Sequence, residues 1–410
     1  MTRPPTVAVV HFPAGGHIRP LLPLVAALEQ HGLRTVQWAP AEWEQACLSA
    51  GSEFRALPDL SDVAGPAPTP FGIAEWLGGL TERVAPWICQ QVEDVGADVV
   101  LRDSFAQYGR YAALANGLDE VVVPAMMAFH RGMRPSAGDR LPACKNFVLG
   151  IPAAARLRRI SRRLDRGYGA PLGGTLAVFA GRHGATTLVF TVPSLQMKPD
   201  GLRDEDVRFV GPLRALGASE VDAEPALDGL EASDQLVYVS LGTVFEQRPD
   251  FFRDAAAALA APGRRVILSI GRIEPQEVGT LPAGVSAHAH VDQLLVLRRA
   301  DLFLTHGGFN SVQEGLAAGV PLLLCPQVFE QALNADVVVG QGAGLRLKSV
   351  TPDRIRAAAD AMLSDPAYAE GARRIAAELR SGLRIDEAVE AVARPALEHS
   401  SSLCSLTFRK

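Results

Sequence analysis

Residues 300–334 read ADLFLTHGGFNSVQEGLAAGVPLLLCPQVFEQALN, which alternates as strand, turn, helix, strand, turn, helix. Leu302 to Leu304 is a short apolar run of the kind a buried strand needs. It breaks at His306-Gly307-Gly308, where glycine lets backbone approach a ligand closely. Asn310 or Ser311 is placed to cap the following helix, with Glu314 one turn inside it. Val320 to Cys325 is a second buried run, Pro326 ends it, and another helix begins near Glu330-Gln331. Helix N-termini carry unpaired N–H groups and partial positive charge, so they hold phosphate without a cation. A His, two Gly, an Asn, a Ser and a Glu on one strand-to-helix turn therefore form a candidate nucleotide diphosphate cradle, although an ordinary glycine-rich turn has the same outline.

The same alternation extends in both directions. At the start of the chain, a strand over Thr6 to Phe12 leads through Pro13-Ala14-Gly15-Gly16-His17 into a helix from about Ile18 to Gln30. That helix carries an apolar stripe at Leu21, Leu24, Val25 and Leu28, and Gly32 closes it. Leu33–Ala39, Ala97–Leu101, Val121–Val123, Thr187–Thr191 and Val207–Gly211 read as further strands. A second series runs through Leu236–Ser240, Val266–Ile270, Val285–Ala289 and Leu302–Leu304 to Leu322–Cys325, and three helices finish the chain. Strands alternating with helices predict parallel, doubly wound sheets, whose ligands gather at the carboxyl ends of strands, where His17 and Asp103 fall. From Pro124 to about Gly184 the alternation fails. Leu213 to Ser233, rich in Gly, Pro, Ala and acidic residues, reads as a linker.

At 410 residues the chain is too long for one core. Its net charge of -5 gives no electrostatic case for nucleic acid. Five scattered cysteines, an odd number without metal-site spacing, fit free thiols in a reducing cytoplasm. No apolar run approaches the roughly 18 residues of a membrane span, and the opening apolar run, interrupted by His11, is short for a secretion signal.

Both αβ halves, Ser240-Leu-Gly-Thr243, His306-Gly-Gly-Phe-Asn-Ser311 with Glu314, and Pro326-Gln327 followed by Glu330-Gln331 and Asn334 together resemble family 1 glycosyltransferases. Gly242-Thr-Val-Phe245 and Pro326–Asn334 are most similar to the bacterial macrolide-type natural-product enzymes. The resemblance implies an α/β, GT-B fold of two facing Rossmann-like, doubly wound domains with a cleft between them. Residues 1–215 would bind the acceptor, 216–233 link, 234–382 bind the nucleotide sugar, 383–398 pack back on the N-terminal domain, and 399–410 form a frayed tail. By the same resemblance His17 is the general base and Asp103 the acid that orients it. Thr243, His306, Gly308, Asn310 and Ser311 contact the diphosphate, Glu314 the ribose, Glu330 and Gln331 the sugar hydroxyls, and Gln293 with the Val291 backbone the base and ribose. Asp292 departs from the family, which usually has Pro before the glutamine.

The implied activity is inverting, metal-independent transfer of a hexose from a nucleotide diphosphate sugar to a hydroxyl of an apolar natural product such as a macrolide or polyketide. UDP-glucose is the first donor expected and a dTDP-deoxysugar the second. No cofactor or metal is expected, and the protein would be a monomer or homodimer. A neutral imidazole takes the acceptor proton, a carboxylate fixes its tautomer, and a helix N-terminus neutralises the leaving diphosphate. Two alternatives share the motifs: a nucleotide-sugar epimerase, and a non-catalytic donor-binding partner of another transferase. Trp76, Phe105, Met127 and Phe129, and with them Trp87, Phe71, Met126 and Met133, are candidates for an apolar acceptor site, the alternative for each being plain core. His11, inside the first strand, reads as structural. Asp204-Glu205-Asp206 imitates a metal-binding triplet but reads as a polar loop. Arg156–Arg166 reads as an amphipathic helix with Leu157, Ile160 and Leu164 on one face, either solvated or anchoring to anionic lipid or an acidic acceptor.

Overall fold

The computed structural model describes residues 3–407 except 61, 64, 68, 131–132, 134–148, 184, 203–205, 213–222 and 243–247, and the side chains at 199 and 402–407. Thr243, Asp204 and Glu205 thus lie outside the described residues. The chain forms two compact units. The first comprises Met1–Val192, Lys198–Arg214 and Gly382–Lys410, and the second Pro193–Met197 and Ala215–Ser381.

The first unit is built on a seven-stranded sheet: β1 Thr6–Val10, β2 Arg34–Ala39, β3 Glu53–Ala56, β4 Val99–Asp103, β5 Asp119–Val123, β6 Thr186–Val189 and β7 Val207–Phe209. The strand order is β3-β2-β1-β4-β5-β6-β7, parallel throughout. β1 and β4 are buried on both faces, which is why they read as continuous apolar runs. Ala8 and Val10 enter one core with the helix Pro70–Asp94, while Val7 and Val9 enter another with Leu21, Leu24 and Leu28. The second unit repeats the plan with six parallel strands: β8 Gln235–Ser240, β9 Arg264–Ser269, β10 Val285–His288, β11 Leu302–Thr305, β12 Leu322–Leu324 and β13 Gly344–Arg346. Their order is β10-β9-β8-β11-β12-β13. Each sheet therefore reverses its winding once, between β1 and β4 and between β8 and β11. Those are the points where doubly wound sheets open a crevice for ligand.

Several local expectations are corrected. The single helix from Ile18 is a short turn, Gly15–Ile18, followed by the helix Leu22–Gln30. Pro20 and Pro23 lie at the junction, and a proline cannot supply the N–H that a continuous helix would use there. β4 runs two residues further than its apolar run, so Asp103 ends the strand itself. Residues 213–222 of the expected linker lie outside the described residues; from 223 onward it is not a plain spacer, because Pro225–Leu227 forms a 3₁₀ turn of the second unit. Nor does helix stop at 398, because Ile385–Thr407 is one helix. Its Ala388, Val389, Ala391, Val392 and Ala396 pack into the core of the first unit.

The helix Ile151–Tyr168 is amphipathic, but Leu157, Ile160 and Leu164 pack into the core beside Leu77 and Leu80 of Pro70–Asp94. Arg156 and Arg163 pair with Glu75 and Glu82 of that helix. The Leu157-Ile160-Leu164 stripe is thus consumed by packing within the first unit. Among the described residues no helix is long and apolar enough to cross a membrane.

Candidate active site

Each winding reversal carries a group of polar side chains. In the first unit, β1 ends at Val10 and the chain turns through Ala14 into Gly15–Ile18, which sets His17 beside the end of β4. His17 Nδ1 lies 2.9 Å from Asp103 Oδ2. Asp103 is wholly buried, whereas the His17 side chain keeps 15% exposure. The other carboxylate oxygen, Oδ1, accepts the Phe105 N–H at 2.7 Å. An ionised carboxylate only accepts, so His17 donates from Nδ1, and its neutral form leaves Nε2 as the basic nitrogen. Burial of Asp103 is offset by these two donors, as a buried carboxylate requires.

Rings surround this imidazole. Phe12 stands 4.8 Å and Phe105 5.3 Å from His17, centroid to centroid. Trp76 meets Phe12 edge-on at 5.8 Å. Phe179 meets Phe105 at 5.8 Å and Phe129 at 5.6 Å. Trp76, Phe105 and Phe129 are thereby joined around His17, while Phe12 and Phe179 were missed in the sequence because a lone Phe has no local pattern. Met127 is 1% exposed and has the burial of a core residue. His11 is also core: it is fully buried, and its Nε2 lies 2.7 Å from Gln37 Oε1.

In the second unit, β11 delivers His306 and the helix Phe309–Ala317 begins immediately after. Gly308 occupies the cap position with no side-chain hydrogen bond, so Asn310 and Ser311 fall inside the first turn and neither is the cap. The His306 ring is sandwiched by glycines. A Cβ on Gly242 would fall 2.7 Å from its Cε1, and one on Gly308 would fall 2.5 Å from its Nε2. Burial lowers the His306 pKa to about 4, and a hydrogen bond to the Ser240 backbone only partly opposes this. Gly308 has φ -60°, which alanine also adopts. Gly308→Ala is nevertheless expected to cost about 1–3 kcal/mol through overpacking, seen as an earlier midpoint in denaturant unfolding.

Gln293 opens the helix Gln293–Leu297, and its Nε2 reaches Glu314 Oε2 at 2.5 Å. The preceding Val291 is 3% exposed. Asp292, at the position where proline was expected, uses the N–H that proline lacks to reach Glu224 Oε2 at 2.5 Å. Its own carboxylate caps the helix by accepting the Leu295 N–H at 2.9 Å. On the next turn, Glu330 Oε1 accepts from Asn334 Nδ2 at 2.6 Å, and the same nitrogen holds the Gly307 carbonyl at 2.8 Å. Gln331 is 1% exposed, and its carboxamide oxygen accepts the Gln327 N–H at 2.8 Å. Only its NH₂ remains for a ligand. Asn334, held by Glu330, thus braces the Gly307 carbonyl from the adjoining helix, while Gln331 holds the 327–328 backbone at that helix's start.

Residues 254–393 match the family described as erythromycin biosynthesis protein CIII-like, C-terminal domain. The chain is 30% identical over 404 residues to the oleandomycin glycosyltransferase of Streptomyces antibioticus, spanning 92% of this chain and 88% of that protein. It is 27% identical to the NDP-glycosyltransferase YjiC of Bacillus subtilis (strain 168), spanning 92% of this chain and 97% of that one. Among solved structures, the glycotransferase of kitacinnamycin matches with a TM-score of 0.79 at 29% identity, covering 96% of this chain and 100% of that chain. CalG4, the calicheamicin glycosyltransferase, matches at 0.75 and 25% identity, covering 96% and 98%. With two parallel-sheet units, a polar group at each reversal and whole-length similarity of this kind, the chain belongs to the macrolide-type natural-product glycosyltransferases of GT-B fold.

Proposed function

We propose that the protein is an inverting, metal-independent glycosyltransferase that moves a hexose from a nucleotide diphosphate sugar to a hydroxyl of an apolar natural product such as a macrolide or polyketide. UDP-glucose is the favoured donor, ahead of a dTDP-deoxysugar. The observation that carries this reading is the buried Asp103 carboxylate on His17 Nδ1, which reserves Nε2 for a substrate proton.

In the proposed reaction, Nε2 takes the acceptor hydroxyl proton as that oxygen bonds to the sugar C1. The bond from C1 to the phosphate oxygen breaks, and the nucleoside diphosphate leaves with the electron pair. A single displacement of this kind inverts C1. The side-chain-free cap at Gly308 and the N–H groups after it suit the leaving diphosphate without a cation. Glu314 suits the two ribose hydroxyls, and Glu330 with the Gln331 amide suits the sugar. The rings of Phe12, Trp76, Phe105 and Phe179 suit an apolar acceptor whose hydroxyl is brought to His17.

Incubating the protein with UDP-glucose and a panel of macrolides, other polyketides and flavonoids tests this. A β-glucoside from the α-configured donor, formed equally in excess chelator, is the expected result. Retention of the α configuration, dependence on a divalent cation, or no transfer to any acceptor would overturn it.

A further inference from the structure

Gln293 and Glu314 are linked to a residue that belongs to no motif. Tyr238 lies in β8, is 1% exposed, and stacks on Phe303 of the neighbouring β11 with ring centroids 4.8 Å apart and planes 21° apart. Its hydroxyl lies 3.3 Å from Gln293 Oε1. Gln293 Nε2 in turn donates to Glu314 Oε2 at 2.5 Å and approaches Ser311 Oγ at 3.5 Å. The chemistry allows one orientation. A carboxylate accepts only, so the amide nitrogen must face Glu314, the amide oxygen must face Tyr238, and the phenol must donate. Burial raises the Tyr238 pKa, so the donating proton stays on the phenol.

Behind it on the same strand, Ser240 Oγ accepts the Gly242 N–H at 3.3 Å. The backbone before Gln293 is pinned as well, by Glu224 on the Asp292 N–H and by Asp292 on the Leu295 N–H. The Glu314 carboxylate therefore stands at the end of a chain of hydrogen bonds that starts inside the sheet.

We propose that Tyr238 is a positioning residue that, through Gln293, sets Glu314 to engage both ribose hydroxyls of the donor and so makes the enzyme select ribonucleotides over 2′-deoxyribonucleotides. This rests on the reading of Glu314 as the ribose acid. A carboxylate fixed for two hydroxyls is left with an unmet position when one is missing, and sites built that way reject the deoxy analogue. With the phenol removed, the Gln293 amide is free to turn, and Glu314 gains latitude to satisfy a single hydroxyl.

Calorimetric titration with UDP and 2′-deoxy-UDP tests the proposal on the wild type, Tyr238→Phe and Glu314→Gln. The wild type is expected to prefer UDP by about tenfold or more. Tyr238→Phe should bind UDP about 3–10-fold more weakly and 2′-deoxy-UDP about equally, so the preference shrinks. In steady state it should raise KM for the donor and leave kcat nearly unchanged. An unchanged preference in a Tyr238→Phe protein of normal melting temperature overturns the role of Tyr238 if Glu314→Gln has lost the preference. A wild type without preference, or a Glu314→Gln protein that keeps it, overturns the ribose reading itself.

Discussion

Replacing His17 with alanine is expected to lower kcat by about 10²–10⁴-fold and to leave UDP affinity unchanged, because the groups proposed to bind the donor belong to the other unit. Asp103→Asn should do nearly the same damage without removing the base. The cause is Phe105, whose N–H is buried and donates to Asp103 Oδ1 at 2.7 Å. Asparagine has a single side-chain oxygen, and that backbone donor claims it. The amide NH₂ then faces His17 Nδ1, which must become an acceptor, so the ring proton moves to Nε2. A histidine protonated at Nε2 cannot take the acceptor proton. Two residues acting as one unit are not additive, so the double variant should be no slower than either single variant. Initial-rate kinetics, with UDP calorimetry as the control for donor binding, measure all three. An Asp103→Asn enzyme within tenfold of wild type would refute the tautomer argument.

The sheet interiors were legible because parallel strands buried on both faces must be apolar without interruption. β1, β4, β8 and β11 all show this in their burial. β3 escaped notice for the opposite reason: Glu53–Ala56 is an edge strand with no buried residue, so it has no apolar run to find. The helix Pro70–Asp94 was also hidden, since Pro86 and Gly72, Gly78 and Gly79 break its pattern while tertiary packing keeps it helical. The His17–Asp103 pair spans 86 residues, and only the topology, which places β1 beside β4, brings it together. Tyr238 and Glu224 were invisible in sequence because their partners, Gln293 and Asp292, lie 55 and 68 residues away. Local pattern pointed to the residues proposed to meet substrate, but gave no view of the groups that hold them from behind.

The protein is expected to lose stability steeply as pH falls from about 6.5 toward 5, before most carboxylates begin to protonate. Two buried imidazoles, His11 and His306, and the half-buried His183 are responsible. Burial lowers the pKa of His11 to about 4, with Gln37 and Asp103 opposing it weakly. His306 is lowered to about 4 in the same way. His183 falls to about 3 through burial, reinforced by repulsion from Arg110 and Arg102. All three are neutral in the native protein at pH 7, but in the unfolded chain they gain a proton near the ordinary value of 6.5. Below that pH the unfolded state binds more protons than the native one, so stability present above pH 6.5 drains away until the native pKa values are reached. For His11 and His306 the loss between pH 6.5 and 5 is on the order of 2 kcal/mol each, a large share of an ordinary domain's margin. Thermal unfolding followed across this range should show the fall, and His11→Asn should flatten it by one imidazole's share, because asparagine can still donate to Gln37. UDP adds a second check. If UDP binds as proposed, phosphate charge beside His306 should restore its proton affinity, so UDP should raise the melting temperature more at pH 6 than at pH 8. A melting temperature constant from pH 7 to 5 would mean that these imidazoles take up protons as readily in the folded protein as in the unfolded chain.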